Sequence, residues 1–82
     1  MNEVFLIGNI ITNINLDFII NSKNMSISRF KIKTFDNQII KLHSYNNLAD
    51  FAYSKLKEND VIFVYGKLHQ DYIQCYYMKK LM

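Results

Sequence analysis

Proline and tryptophan are absent from this 82-residue chain, and it holds only two glycines, Gly8 and Gly66, and one cysteine, Cys75. A single cysteine excludes an internal disulfide framework. No apolar stretch approaches 18 residues, which excludes a membrane-spanning helix. The opening MNEVFLIGNIIT has neither a basic n-region nor a small-residue cleavage site, so it does not read as a signal peptide, and a cytoplasmic address is expected. No Pro/Gly-rich linker, repeat or low-complexity tract divides the chain, so residues 1–82 are expected to form one domain. The two histidines, His43 and His69, have no cysteine or carboxylate at metal-ligand spacing, which argues against zinc. Nucleophile–base pairs, phosphate-binding loops and paired catalytic carboxylates are also missing. The chain is therefore expected to be neither an enzyme nor a cofactor carrier.

Half of the residues are hydrophobic and 15% are aromatic, enough for a packed core and too much for a disordered tail. A chain of this length buries only about 60–65% of the surface its unfolded form exposes, so its stability benefits from partners. The net charge of +3 permits a polyanionic partner without requiring one.

Residues 2–12 read as a strand continuous enough to be buried on much of both faces, with 14–20 as its continuation beyond a bend. Asn21-Ser22-Lys23-Asn24 is a turn cluster. Residues 26–35 and 38–45 alternate as strands around a tight Asp36-Asn37 turn, since both turn residues tolerate left-handed backbone. The period then changes. Leu48, Phe51, Ala52 and Leu56 share a helical face, with Asn47 as cap, Asp50 three residues on as a weak capping box, and Asn59 as terminator. Residues 61–68 and 72–78 are two further strands. Both glycines fall inside strands, where glycine marks a bulge or a sharp bend, and a small barrel needs such bends to close. The expected class is all-β with one short helix. The order strand-strand-strand-helix-strand-strand is that of a five-stranded OB-fold barrel, used widely to bind oligonucleotides.

The 29–45 hairpin carries the strongest signal. Phe30, Ile32, Ile40 and Leu42 lie on one parity; Arg29, Lys31, Lys33, Phe35, Lys41, His43 and Tyr45 lie on the other. A single strand asks a surface for cations to track phosphates and rings to stack on unpaired bases. Phe63 and Tyr65 alternate with Ile62 and Val64 on a later strand. Twelve aromatics exceed what a five-stranded barrel can hold inside, so Phe5, Phe63 and Tyr65 are expected at an interface between subunits, with stacking on bases as the other reading of Phe63 and with Tyr65 and Lys67 left open between the two roles. Of the adjacent Tyr76 and Tyr77, alternation places one ring in the core. Cys75 reads as a partly buried thiol in the last strand. The carboxylates Asp17, Asp36, Asp50, Glu58, Asp60 and Asp71 are read as serving solubility and capping.

The opening NEVFLIGN resembles the first strand of bacterial single-stranded DNA-binding proteins, roughly N-x-V-x-L-x-G-N. LHSYNNLADFAYSKLKENDVIFVYGKL is similar to that family's strand, short helix and V-x-V-x-G-x-L segment. The likeness covers most of the chain and is weakest in residues 13–25 and after 70. It implies that Tyr45 stacks on a base, that Lys41 lines the DNA path, and that Tyr72 lies near another stacking aromatic. Ile39 falls where many members have a stacking tryptophan. The loops at 36–37 and 69–71 are shorter than the family's, and the acidic tail that recruits partners is not in this sequence. The likeness therefore extends to the bare binding domain. Primosomal OB-fold relatives are the second match.

The expected binding set is Arg29, Lys31, Lys33, Phe35, Lys41, His43, Tyr45, Lys67 and Tyr72. The expected partners are single-stranded DNA, with RNA open, and a second copy of the chain in a homodimer or homotetramer; no membrane is expected. An RNA-binding module and an adaptor whose rings serve only protein contacts stand as alternatives, and salt separates phosphate binding from a hydrophobic interface.

Overall fold

The computed structural model describes residues 2–20 and 24–82, so most of the expected 21–24 turn lies outside the described residues. Six strands and one helix follow in order: β1 (Glu3–Ile10), β2 (Asn15–Ile19), β3 (Met25–Lys33), β4 (Ile39–Tyr45), α1 (Asn47–Lys55), β5 (Val61–Leu68) and β6 (Ile73–Lys80). The sheet runs β1-β5-β6-β4-β3-β2, and β1 also pairs with β3 at Asn9–Lys33 and Ile10–Ile32. That second pairing closes a five-stranded barrel. β2 continues the path of β1 along β3, from Asn15 opposite Arg29 to Ile19 opposite Met25. β1 and β2 are thus one bent strand in two pieces, and the expected OB-fold is the fold observed. Across the bend, Ile11 donates its backbone N–H to the Lys31 carbonyl at 3.0 Å, and Lys31 donates its own to Thr12 Oγ1 at 2.9 Å.

The core follows the alternation of the strands. Ile10, Phe30, Ile32, Leu42, Ile62, Val64, Ile73, Cys75 and Met78 are buried, with Ala52 and Leu56 from the helix side. Leu48 and Phe51 pack against this cluster while partly exposed, so the expected helical face meets the barrel. Helix capping differs from expectation. Asn46, at φ 56°, is the N-cap, without a side-chain cap bond. Asp50 instead accepts a hydrogen bond from Ser26 Oγ at 3.1 Å, tying the helix to β3. The helix ends earlier than expected: Leu56, in extended backbone, is its C-cap, and Asn59, at φ 79°, lies in the separate turn that leads into β5. Asp60 is buried rather than solvating. It accepts the Lys57 N–H at 2.9 Å and faces Lys80 Nζ at 3.6 Å.

The outer face of β1 is open, not covered on both sides: Phe5 is 67% exposed and Ile7 41%. β6 departs further from simple alternation. Gly66 pairs with Cys75 while the preceding Tyr65 pairs with Tyr77, so Tyr76 is an extra residue in a β-bulge. The extra residue turns Tyr76 and Tyr77 to the same outer side, 47% and 49% exposed, where alternation places one inside. Gly66 permits the close approach. A Cβ there would stand 2.3 Å from the Gln74 carbonyl oxygen.

Candidate nucleic-acid interface

β3 and β4 present the expected outer face. Arg29, Lys31 and Lys33 are exposed along β3, opposite His43, Lys41 and Ile39 of β4; Tyr45, at the end of β4, faces Ile27. Lys31 and Lys41 are therefore directly opposed, a like-charge pair that destabilises a sheet unless an anion neutralises it. Neither lysine meets a carboxylate among the described residues. Arg29 does: its Nη1 lies 2.7 Å from Asp17 Oδ2 of β2. That pair depends on the β2–β3 register, so strand alternation alone gave no sign of it.

β6 lies beside β4 in parallel, Leu42 against Ile73 and His43 against Gln74. This register brings Tyr72 onto the same face. Its ring stacks on His43 at a centroid separation of 4.1 Å and on His69 at 4.7 Å. His69 is further held by Gln74, Nε2 to Oε1 at 3.0 Å. Tyr45 adjoins this group. Burial first, and then the neighbouring Tyr72 phenol, raise its pKa above the usual tyrosine value. Burial, followed by repulsion from Arg29, Lys41 and His69, lowers the pKa of His43 below 6.5. One groove is lined by Thr12, Asn15, Arg29, Lys31, Lys41 and His43; an adjoining one runs past Lys41 to Leu68, Asp71 and Tyr72. His69 was not among the expected site residues. Its spacing to Tyr72 was the only signal, and that gains meaning only from the β4–β6 register.

Two expected members stand apart from this cluster. Phe35 is not on a strand. The connection between β3 and β4 spans residues 34–38, longer than the two-residue turn expected: the Thr34 N–H is donated to the Gln38 carbonyl at 2.9 Å, and Asn37, in the left-handed region at φ 65°, donates its N–H to the Thr34 carbonyl at 3.0 Å. The Phe35 ring is 91% exposed and borders grooves lined by Phe5, Ile7 and Phe63, at the far end of β4 from Tyr45. Lys67 is exposed on β5, paired with Glu3 and Gln74. Phe5, Phe63 and Tyr65 form a separate outer cluster. Phe5 stacks on Tyr65 at 4.7 Å and lies 6.0 Å from Phe63, while Tyr77 and Tyr76 extend the patch at 6.2 and 5.7 Å. Cys75 is buried, and burial pushes its thiol up to about 12. No helix among the described residues is long and apolar enough to cross a membrane. No cluster of three or more His, Cys, Asp or Glu able to hold a metal occurs among the described residues.

A closed five-stranded barrel with this order of strands and helix defines an OB-fold. No protein-family model matches the sequence, and no curated protein matches it. Solved structures do match. The SSB domain of a Synechococcus sp. protein superposes with a TM-score of 0.85 at 13% identity, over 95% of this chain and 93% of that one. The single-stranded DNA-binding protein of Thermus aquaticus matches at 0.81 and 18% identity over the whole chain, which spans 41% of that protein. The second single-stranded DNA-binding protein of Mycobacterium smegmatis matches at 0.76 and 17%, over 96% and 87%. At these identities the likeness is one of fold: the chain has the OB-fold architecture seen in single-stranded DNA-binding proteins.

Proposed function

We propose that the chain binds single-stranded DNA without catalysis, along the outer face of β3, β4 and the start of β6. Lys31, Lys41 and Lys33 meet phosphates, and bases stack on Tyr45 and on the His43 end of the His43–Tyr72 stack. The observation that carries this reading is the opposed Lys31–Lys41 pair, unneutralised among the described residues and set beside stacked rings. A flexible polyanion with unpaired bases satisfies both features at once. Arg29 contributes less, because Asp17 already holds it. The solved structures of like fold are described as single-stranded DNA-binding proteins, which supports the same assignment.

Fluorescence anisotropy with labelled oligo-dT, duplex DNA and oligo-U at two salt concentrations tests it. Oligo-dT should bind more tightly than duplex of the same length and weaken steeply with salt. Equal or tighter duplex binding would sink the proposal. Tighter oligo-U would reassign the module to RNA, since stacking platforms accept both. Salt-insensitive binding would favour a protein-contact role. The Phe5–Phe63–Tyr65 patch lies apart from this face and fits a second copy of the chain, leaving the groove free.

A further inference from the structure

Tyr72 does not present an open ring face. β6 lies between β4 and β5 in the sheet; His43 stands on the β4 side of Tyr72 and His69, which follows β5, on the other. Both imidazoles are within 16° of parallel to the phenol, so the three rings form a column whose ends are imidazole. All three are half-buried, and His43 lines one groove and Tyr72 the adjoining one. The charged surroundings are one-sided. Arg29 and Lys31 of β3 and Lys41 of β4 line the groove with His43. Tyr45 lies two residues along β4, and uncharged Gln74 faces His43 from β6. Of the nearby carboxylates, Asp17 is engaged by Arg29, and Asp71 lies at the Tyr72 end.

We propose that the His43–Tyr72–His69 column is a proton-coupled contact for single-stranded nucleic acid, in which a base stacks on an imidazole end and His43 takes up a proton as the strand binds. This rests on the reading of the groove given above. In the free protein, burial and the neighbouring cations disfavour the charged form of His43. Phosphates docking on Lys31 and Lys41 cancel the share of that repulsion due to Lys41 and add negative charge beside the ring, so the bound state holds the proton more tightly. Linkage then requires affinity to rise as pH falls through the window between the free and bound titrations. The assignment is clean, because the chain has only two histidines and, apart from the α-amino group, no other group of ordinary pKa titrates between pH 6 and 8.

The test is titration calorimetry with oligo-dT, whose base does not protonate in this range, in two buffers of different ionisation enthalpy at pH 6.5. Anisotropy at pH 6 and pH 8 accompanies it. The wild-type protein should show net proton uptake and bind on the order of fivefold more tightly at pH 6. Its salt slope should steepen by about 0.7 per proton gained. The double variant His43→Gln, His69→Gln should bind with no uptake and equal affinity at both pH values. Binding by wild type without uptake overturns the proposal, as does uptake that persists in the double variant. Should that variant fail to fold, ring-proton NMR of the wild-type His43 decides: a titration that does not move upward with oligo-dT overturns it. Absence of oligo-dT binding at every pH overturns both this proposal and the reading beneath it.

Discussion

At the scale of single residues, the opposed lysines and the neighbouring rings make separable predictions. Changing Lys31 and Lys41 together to Ala should flatten the plot of log affinity against log salt by roughly 1.4 units, because each phosphate contact on a single strand releases about 0.7 of a counterion. The same change relieves a like-charge pair, so thermal stability should hold or rise. Tyr45→Ala removes a ring and no charge; it should cost about 1–3 kcal/mol of binding with the salt slope nearly unchanged. A slope untouched by the lysine change would place the phosphates elsewhere. The alternation of 29–33 and 39–45 was legible in the sequence because period 2 survives any sheet arrangement. The damping of Arg29 by Asp17 was not, since it needs the register of β2 on β3. The column around Tyr72 was hidden for the same reason, as parallel strands β4 and β6 lie far apart in the chain.

Among the elements, β6 has the least readable geometry. The stretch IQCYYMKK gives no sign of an extra residue, because both faces of it carry large side chains. The bulge is set by its neighbour, Gly66, whose missing Cβ lets the Gln74 carbonyl approach. Gly66→Ala should therefore destabilise the fold by about 3 kcal/mol, by overpacking and local strain. Gly8→Ala should cost less, since its nearest obstacle is the Ile32 Cδ1 methyl at 2.8 Å, the end of a side chain, and the backbone Lys33 oxygen stands at 3.1 Å rather than 2.3 Å. Chemical denaturation of the two variants measures the order, and equal midpoints would contradict the bulge geometry. The helix shows the opposite balance. Its apolar face was readable from periodicity, while its cap fell one residue earlier, on Asn46, and Asp50 bonds to Ser26 of β3 instead of closing a capping box.

For the whole molecule, the balance of surface predicts assembly. Phe5, Ile7, Tyr76 and Tyr77 are all two-fifths or more exposed, and Phe63 and Tyr65 complete a contiguous ring-rich patch. Light scattering at micromolar concentration should give a mass of at least twice 9.8 kDa, and Phe5→Glu should return it to that value. Acid should act on the unliganded protein in the reverse sense to its effect on binding. The folded His43 titrates below its unfolded value, so the unfolded chain takes up the proton first. Stability from this group is full above about pH 6.5 and is lost as pH falls below it. Melting curves at pH 7.5 and 5.5 should show the drop, and oligo-dT should offset more of it at the lower pH.

The barrel is closed by two brief joins. One is β1 against β3 at Asn9 and Ile10; the other is β4 against β6 at Leu42 and His43. Long ladders hold β1-β5-β6 together on one side and β2-β3-β4 on the other. The molecule is in effect two half-sheets stitched at their margins, and amides at the stitches should exchange with solvent before those of the ladders. The ring column stands over one stitch, with His43 on one half and Tyr72 and His69 on the other. A strand lying across it would grip both halves, so the ligand would act as a clasp on the barrel itself, slowing exchange at Leu42 and His43 far more than along β5.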